Sequence, residues 1–456
     1  MLIDTHAHLD MEQFAPDLAD VLDRAAGADV GRIITIGTDA ASSAMAAALS
    51  ETHPQVYFSA GVHPHDVKDA SGSDYDAIKK LLLMQKAVAV GETGLDYHYD
   101  LSPRDVQKTH FARQINIAKE TGRPLIVHSR EADKETIDIL TSEGATDTGG
   151  TMHCFAGDYE TAKAALDMGL YISVGGTITF KKADALRDVI RQVPIERIML
   201  ETDCPYLSPH PLRGKRNEPA YVRHVAVALA AIKGLSVPDI ERITSLNATT
   251  LFRLGEPPAE GAIAYPIRDS LYLNITNRCT NDCSFCVRNT RDFVKGHNLR
   301  LTREPSVAEI LGAMEGFEKY KEVVFCGYGE PFLRLDALKE VAAVVKSRGV
   351  KVRVNTNGHA LLIHGKEVFS EIEGLVDALS VSLNFPTAEQ YDEVCRPVLD
   401  GAYEGLKEFV SLAKGHVPEV SVTVLAMPGV DLDACRRVAD DVLGVPLRIR
   451  EYNEVG

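Results

Sequence analysis

Three cysteines in one short stretch are spaced so that they could hold a metal cluster. Residues 277–287 read N-R-C-T-N-D-C-S-F-C-V, which places Cys279, Cys283 and Cys286 in the pattern C-x3-C-x2-C. Zinc sites usually take two pairs of ligands, and no second pair follows in the sequence. Three thiolates leave one iron of a [4Fe–4S] cluster open to another ligand, whereas four thiolates close it. We interpret the motif as an open cluster site, with zinc, a closed electron carrier and inert thiols as the alternatives.

The other cysteines are scattered along the chain. Cys326 lies beside the stretch G-Y-G-E-P and is the only candidate that the sequence offers for a fourth ligand or a reactive thiol. Cys395 and Cys435 are isolated, and Cys154 and Cys204 are expected to pack in the core. Eight cysteines in 456 residues, three of them close together, indicate metal binding in a reducing compartment rather than a disulfide scaffold.

Histidines and carboxylates form a second candidate site of a different chemical kind. Residues 3–10 read I-D-T-H-A-H-L-D, and His6 and His8 point the same way because they are two residues apart on a predicted strand. Imidazoles and carboxylates are good ligands for divalent metals, and a carboxylate can bridge two of them. Similar residues follow later predicted strands. The residues that we expect to bind metal are His6, His8, Glu92, His128, His153 and Asp203.

The elements that must position these ligands alternate between strands and helices. Residues 1–255 contain eight short apolar strand candidates, separated by stretches with helical periodicity such as residues 104–120. This alternation predicts an α/β fold, a (β/α)8 TIM barrel, in which the carboxyl ends of all strands meet at one face. Because the candidate ligands follow the strands, the prediction brings them together at that face.

A proline-rich stretch divides the chain. Residues 256–266 contain two adjacent prolines and a third at the end, and we predict that they form a linker. The alternation restarts in residues 267–456, where six strand candidates predict a partial (β/α)6 barrel. Two domains are also the expected number for a chain of 456 residues.

Charge and hydrophobicity narrow the classes of function. A formal net charge of −16 argues against a broad nucleic-acid-binding surface, although a local basic pocket can still bind a few phosphates. The sequence shows no secretory signal and no apolar run of ~18 residues, so we predict a cytoplasmic protein with no membrane partner.

The first half of the chain resembles the TatD family of metal-dependent hydrolases within the amidohydrolase superfamily. The similarity rests on stretches such as I-D-T-H-A-H-L, S-A-G-V-H-P-H, A-V-G-E-T-G-L-D-Y, L-I-V-H-S-R, M-H-C-F-A-G and E-T-D-C-P-Y-L. It implies a deoxyribonuclease, often a 3′→5′ exonuclease, that uses two divalent ions such as Mg²⁺, Mn²⁺ or Zn²⁺. By this resemblance the first metal would be held by His6, His8, Glu92 and Asp203, and the second by Glu92, His128 and His153. Glu92 and Asp203 would be catalytic, with Asp203 orienting or deprotonating the attacking water.

Other residues of the first half are candidates for binding substrate phosphates. Arg213, Lys215 and Arg216 lie in the stretch R-G-K-R-N-E-P, and guanidinium and ammonium groups suit phosphate oxygens. His63 and His65 in G-V-H-P-H are predicted to be phosphate contacts as well. The expected substrate is DNA or another phosphodiester.

The second half resembles the radical S-adenosylmethionine enzymes. The similarity rests on C-x3-C-x2-C with Phe285 before the third cysteine, and on F-C-G-Y-G-E-P, in which Tyr328 replaces an expected glycine. It implies a [4Fe–4S] cluster that cleaves S-adenosylmethionine to methionine and a 5′-deoxyadenosyl radical, with an electron donor of the flavodoxin or ferredoxin type. The candidates for binding S-adenosylmethionine are Gly327, Gly329, Glu330, Asn357, Ser382 and Asn384.

The sequence is therefore interpreted as a bifunctional fusion of a phosphodiester hydrolase and a radical enzyme of unknown substrate. Two alternatives stay open. The hydrolase could instead cleave an ester or amide linked to the radical product, and the cluster domain could instead serve as a sensor or electron-transfer module.

Overall fold

The chain folds into two compact units in a computed structural model that describes residues 1–452. The first unit comprises Met1–Pro257, and the second begins at Pro258. Each unit has a large hydrophobic core of its own.

The first unit is built on eight parallel strands in sequential order, β1 to β8. The two ends of the sheet meet because the Asp203 amide donates to the His6 carbonyl and the His8 amide donates to the Cys204 carbonyl, each over 2.8 Å. The predicted TIM barrel is therefore confirmed. The strands are β1 Leu2–Ala7, β2 Val30–Ile36, β3 Val56–Ala60, β4 Ala87–Asp96, β5 Leu125–Arg130, β6 Gly150–Met152, β7 Tyr171–Val174 and β8 Ile198–Leu200.

Helices connect these strands and pack apolar side chains against the barrel. The last helix shows how the sequence sets a boundary, because the Ser236 side chain and the Asp239 side chain cap each other's backbone amides at its start. Ile240 and Ile243 of the same helix are buried against the barrel. The helices are α1 Leu18–Gly27, α2 Ala40–Thr52, α3 Gly72–Leu81, α4 Arg104–Thr121, α5 Asp133–Ser142, α6 Tyr159–Asp167, α7 Asp184–Gln192, α8 Val222–Lys233 and α9 Val237–Phe252.

The second unit is built on a seven-stranded mixed sheet in the order β17-β16-β15-β14-β13-β10-β9. The six predicted strands pair in parallel, and the predicted partial barrel is confirmed in this part. Strand β9 pairs antiparallel with β10 and begins inside the predicted linker, residues 256–266, where its proline hides the strand pattern. The strands are β9 Ala264–Ile267, β10 Ser270–Leu273, β11 Phe293–Val294, β12 His297–Asn298, β13 Glu322–Phe325, β14 Lys351–Thr356, β15 Ala378–Ser382, β16 Glu419–Ala426 and β17 Leu447–Glu451.

Helices of the second unit cover one face of its sheet. Leu338 and Val341 on α11 share a core with Phe409 on α15 and with the strand residues Val352 and Val354. A π-helical turn, Val438–Leu443, continues the last helix. The helices are α10 Val307–Ala313, α11 Leu335–Ser347, α12 Ala360–His364, α13 Phe369–Ile372, α14 Ala388–Cys395, α15 Ala402–Ala413 and α16 Leu432–Arg437.

The other face of this sheet is polar. Successive side chains along a strand alternate between the faces, so the neighbours of the core residues point away from the helices. We call this side the polar face. Its polar and charged residues include Tyr272, Cys326, Arg353, Asn355, Ser380, Ser421, Thr423, Arg448 and Arg450.

No single helix within residues 1–452 is long and apolar enough to cross a membrane. Pro219–Lys233 and Val237–Phe252 reach the length and composition of a span only as a pair, and they are bent by 107°.

Candidate metal centre and cluster loop

Glu92 lies at the centre of a group of histidines at the carboxyl end of the barrel. Its Oε2 is 3.4 Å from Nε2 of His6 and 3.9 Å from Nε2 of His8. Its Oε1 is 2.9 Å from Nδ1 of His128 and 2.8 Å from Nε2 of His153. The two oxygens of one carboxylate therefore face two different sets of imidazoles. This arrangement suits a carboxylate that bridges two metal ions.

Asp203 completes the group on the Oε2 side of Glu92. Its Oδ1 is 3.4 Å from Nε2 of His8 and 3.8 Å from Nε2 of His6. Potential ligand atoms of His6, His8 and Asp203 all lie within 4.8 Å of one another. The structure thus brings together all six residues that the sequence predicts as metal ligands.

Burial and charge act in opposite directions on the two acids. Burial raises the pKa of Glu92. The surrounding histidines, His153 and His63 first among them, lower it more strongly, so the pKa lies well below its usual value. Burial also raises the pKa of Asp203, and a hydrogen bond from His8 helps to bring it below the usual value. Both carboxylates are therefore ionised at neutral pH, as metal ligands must be.

His6 has the surroundings of a metal ligand. It is fully buried, and neither of its ring nitrogens has a hydrogen-bond partner among the residues that the structure describes. A buried polar atom without a partner costs free energy, and coordination of a metal removes that cost. With the facing carboxylates of Glu92 and Asp203, this set of nitrogen and oxygen donors fits divalent metals.

Gly94 allows β4 and β5 to approach closely enough to join these ligands. Its φ is +141°, and a Cβ at this position would lie 1.9 Å from the carbonyl oxygen of His128. Any side chain would push the strands apart. Glycine at this position therefore keeps Glu92 beside His128.

Glu201 was not identified from the sequence as a site residue. It is fully buried, with Oε1 3.6 Å from Nδ1 of His153, and its Oε2 accepts a hydrogen bond from the Ser173 hydroxyl over 2.6 Å. His6, His153 and Glu201 also offer ligand atoms within 4.8 Å of one another. The available signal was the spacing E-T-D, which places Glu201 two residues before Asp203 at the end of the same strand.

His63 and His65, both predicted to contact phosphate, lie in different surroundings. Nε2 of the buried His63 is 3.5 Å from Oε1 of Glu92, and His63 groups with Glu92 and His128 as potential ligands. Burial lowers the pKa of His63 to about 4, which leaves a neutral imidazole. Nε2 of His65 is 2.9 Å from Oδ2 of Asp96, and that oxygen is also 3.1 Å from Nε2 of His128. His63 thus lies among the predicted ligands, and His65 orients a neighbour of them.

The basic stretch after β8 does not act as one patch. Two guanidinium nitrogens of Arg216 donate to the two carboxylate oxygens of Asp17 over 2.8 and 2.7 Å, and the group lies 4.8 Å from the Phe14 ring centre. Arg216, predicted to bind phosphate, is therefore held in the fold. Arg213 and Lys215 are more exposed, although Arg213 donates to the Ser208 carbonyl over 3.3 Å and lies 4.0 Å from the Phe180 ring centre.

The loop that carries the three cluster cysteines is held against the end of α14. The Asp282 amide donates to the Cys395 carbonyl over 3.0 Å, and the thiols of Cys283 and Cys395 are in hydrogen-bond contact. The sequence treated Cys395 as isolated because the two residues are far apart in the chain. Cys326, the sequence-based candidate for a fourth thiol, projects from the polar face, where its neighbour is Asn355.

Donors to sulfur and a buried polar network lie around Cys279. The Asn281 amide donates to the Cys279 sulfur over 3.4 Å, and Nδ2 of Asn357 donates to it over 3.8 Å. Nδ2 of Asn281 also donates to the Tyr391 hydroxyl over 2.9 Å. The same hydroxyl lies 3.0 Å from Nε2 of His359. N–H donors stabilise a thiolate, the form of cysteine that binds iron, so the loop fits a cluster.

Two of the predicted S-adenosylmethionine contacts join the loops beside the cysteines. A Cβ at Gly329 would lie 2.3 Å from the Arg278 carbonyl oxygen, to which the Glu330 amide donates over 2.7 Å. The buried Glu330 carboxylate accepts from the Thr356 hydroxyl and the Asn357 amide, each over 2.8 Å. Burial raises the pKa of Glu330 to about 7. The Glu330 side chain thus connects two loops of the protein.

The remaining candidates are spread around the same end of the sheet. A Cβ at Gly327 would lie 2.1 Å from Oδ1 of Asn274, so the loop after β13 requires a glycine there. Nδ2 of Asn384 donates to the Cys395 sulfur over 3.6 Å. Ser382 ends β15 and is partly exposed. Asn384 therefore reaches the cluster loop through Cys395.

Comparisons with known proteins cover both halves of the chain. A family model described as TatD related DNase matches residues 3–253, and a model described as Radical SAM superfamily matches residues 273–442. The uncharacterized metal-dependent hydrolase YabD of Bacillus subtilis is 45% identical over 254 residues, which cover 56% of this chain and 100% of the relative.

Two further relatives match the same region. The 3′-5′ ssDNA/RNA exonuclease TatD of Salmonella typhimurium is 34% identical over 258 residues, which cover 56% of this chain and 99% of the relative. The crystal structure of YJJV, a TatD homolog from Escherichia coli, has a TM-score of 0.54 at 33% identity and covers 56% of this chain and 98% of that one. Both resemblances drawn from the sequence are thus confirmed. The chain belongs to the TatD related DNase family of metal-dependent hydrolases, and a radical SAM domain follows its hydrolase domain.

Proposed function

We propose that the first unit hydrolyses phosphodiester bonds at the 3′ end of single-stranded nucleic acid. The observation that carries this proposal is the position of Glu92, whose two oxygens face separate sets of histidines. Such a centre is suited to the attacking and leaving oxygens of a displacement at phosphorus. The 34% identical relative named as a 3′-5′ exonuclease supports the choice of substrate.

The residues of the centre divide into two ligand sets that share Glu92. His6, His8 and Asp203 would hold one divalent ion. The other would be held by His128, His153 and, by its position, His63. Bound metal ions would supply Lewis-acid stabilisation of the negative charge that develops on the phosphate. Asp203, ionised and next to His8, is the carboxylate that accepts a proton from the attacking water.

Exonuclease assays test this proposal directly. Single-stranded DNA and RNA labelled at the 5′ end should shorten stepwise from the 3′ end in the presence of Mg²⁺ or Mn²⁺. A 3′-terminal phosphorothioate should slow the reaction. Carboxylic esters and amides serve as the comparison substrates. Hydrolysis of esters or amides with no shortening of either nucleic acid would refute the proposed substrate.

We propose that the second unit cleaves S-adenosylmethionine reductively and begins a radical reaction. Cys279, Cys283 and Cys286 would hold a [4Fe–4S] cluster, which would supply one electron and an open coordination position. Asn357 and Asn281 donate to the sulfur of Cys279 and hold it in place. An electron donor of the flavodoxin or ferredoxin type would reduce the cluster.

The test is formation of 5′-deoxyadenosine and methionine by the anaerobically reconstituted chain with dithionite. Cys283→Ala should abolish both products, whereas Cys435→Ala, which changes a buried cysteine of the core, should keep them. A cluster that reduces reversibly but yields no 5′-deoxyadenosine would favour the sensor or electron-transfer alternative.

A further inference from the structure

Within the residues that the structure describes, the polar face of the second sheet carries unpaired positive charge at one edge. Arg448 and Arg450 on β17 are exposed, and no ion pair to either residue occurs among residues 1–452. Arg353 on β14 differs, because its Nη2 is 2.6 Å from Oε1 of Glu322. The free cationic groups of this face therefore lie along its β17 edge.

A thiol lies on the same face. Cys326 follows β13, and Asn355 is the residue next to it across the sheet. Burial raises the pKa of the Cys326 thiol. A hydrogen bond from Asn355 and the charges of Arg450 and Arg353 act against burial, whereas the charge of Glu330 acts in the same direction as burial. Strand β17, which carries Arg450, is four positions from β13 in the sheet order, and Arg450 is nevertheless among the charges that act on the Cys326 thiol.

The opposite edge of the polar face is aromatic. Tyr265 and Tyr272 stack with ring centres 5.4 Å apart, and Tyr265 packs with the buried Tyr328 and Leu299. The Tyr328 hydroxyl donates to the Arg291 carbonyl over 2.6 Å, which fixes this wall. The polar face thus runs from an aromatic wall to a cationic edge, with Cys326 between them.

We propose that the polar face binds a small substrate that carries a carboxylate or phosphate group, with Arg448 and Arg450 holding the anion and Tyr272 contacting the apolar part. The identity of this ligand as a substrate rests on the proposed radical chemistry, whereas its binding does not. Guanidinium groups form paired hydrogen bonds with both kinds of oxyanion. Charge complementarity favours an anion here although the chain as a whole has a net charge of −16.

The first test compares an anionic and a neutral reagent at Cys326. The full chain with its cluster reconstituted is treated anaerobically with iodoacetate or iodoacetamide, and the Cys326 peptide is quantified by mass spectrometry. The rate with iodoacetate is divided by the rate with iodoacetamide, and this ratio is then divided by the same ratio for free cysteine. The normalised ratio should be about ten or more, because cationic surroundings concentrate anions. R448Q and R450Q should each lower it, and the double variant should bring it close to one.

A matched control and competing anions sharpen this test. Arg436 is exposed on α16, which packs on the side of the sheet opposite the polar face. R436Q therefore removes one positive charge away from Cys326 and should leave the ratio unchanged. Inorganic phosphate and malonate are then added separately at equal ionic strength. Stronger protection of Cys326 by phosphate indicates a phosphorylated substrate, and stronger protection by malonate indicates a carboxylic acid. A ratio near one in the parent protein, or a ratio that R448Q and R450Q leave unchanged, overturns the proposal.

A second measurement covers the case in which neither reagent reaches the thiol. Calorimetric unfolding of the parent chain should shift to higher temperature in phosphate or malonate relative to sodium chloride, because binding stabilises the folded state. The R448Q/R450Q variant should lose that shift, and an equal shift in both proteins overturns the proposal. Formation of 5′-deoxyadenosine is measured in the same samples. Its absence counts against the radical chemistry alone, so the two proposals fail separately.

Discussion

The two inorganic sites of this chain are assembled in different ways. The donors around Glu92 come from β1, β4, β5 and the segments that follow β1, β3, β6 and β8, and the closure of the barrel brings them together. The three cluster cysteines come from one loop after β10. One site is a product of tertiary structure, and the other is a local motif that its surroundings support.

This difference determines what each site depends on. Loss of one ligand in the barrel leaves several buried histidines and carboxylates whose charges no longer balance, so binding and chemistry should both suffer. In the cluster loop the thiols are half-buried, and the surrounding groups such as Asn357 and Cys395 adjust the site without building it. The variants below test the contrast, from the largest expected effect to the smallest.

Asp203→Asn should abolish hydrolysis and leave the fold intact. The change removes a proposed ligand and base, so the rate should fall by several orders of magnitude while the cluster remains. Asp69→Asn, which neutralises an exposed carboxylate of the same unit, is the matched control. The measurement is the nuclease rate with metal in excess. A rate within a few-fold of the parent would rule out the assignment of Asp203.

Replacing Cys279, Cys283 and Cys286 with Ala should remove the cluster and spare the hydrolase. The prediction follows from the division into two compact units, because the proposed ligands of the barrel all precede Pro257. Iron and sulfide content should fall to background, and the nuclease rate should stay within about twofold of the parent. The expectation is wrong if the triple variant keeps its iron, or if its nuclease rate falls in parallel.

Much of this architecture could be predicted because its signals are local. Alternating apolar strands predicted the barrel, and motifs at strand ends predicted the donors that the structure brings together. The contact between the free thiols of Cys283 and Cys395 could not be predicted, because it depends on how α14 packs against a loop that is distant in sequence. For the same reason the salt bridge between Arg216 and Asp17 could not be predicted, since it joins residues that are far apart in sequence.

Cys395→Ala should keep the cluster and change its reduction potential. The Cys395 thiol contacts the Cys283 sulfur, and hydrogen bonds to ligating sulfurs raise the potential of such clusters. The potential should therefore become more negative in C395A, with unchanged iron content, in a redox titration followed by electron paramagnetic resonance. Cys435→Ala, another buried cysteine of this unit, should match the parent. Loss of iron in C395A would instead make Cys395 a ligand.

The basic stretch of the barrel should divide into two kinds of residue. Replacing Arg213 and Lys215 with Ala should raise the KM for DNA and make its salt dependence shallower, because fewer phosphates are neutralised. Arg216→Ala should mainly lower the melting temperature slightly, since it breaks the salt bridge to Asp17. An unchanged KM and salt slope in the double variant would argue against a nucleic-acid substrate.

The most direct test of two independent sites is metal analysis of one variant, Glu92→Gln, beside the parent. Both proteins are reconstituted anaerobically with iron and sulfide, saturated with Mn²⁺ and freed of excess metal. The parent should hold about two manganese and about four iron atoms per chain. E92Q should lose manganese and keep all of its iron, because it changes only the carboxylate between the histidines. Full manganese binding by E92Q, or a parallel loss of iron, would contradict the account.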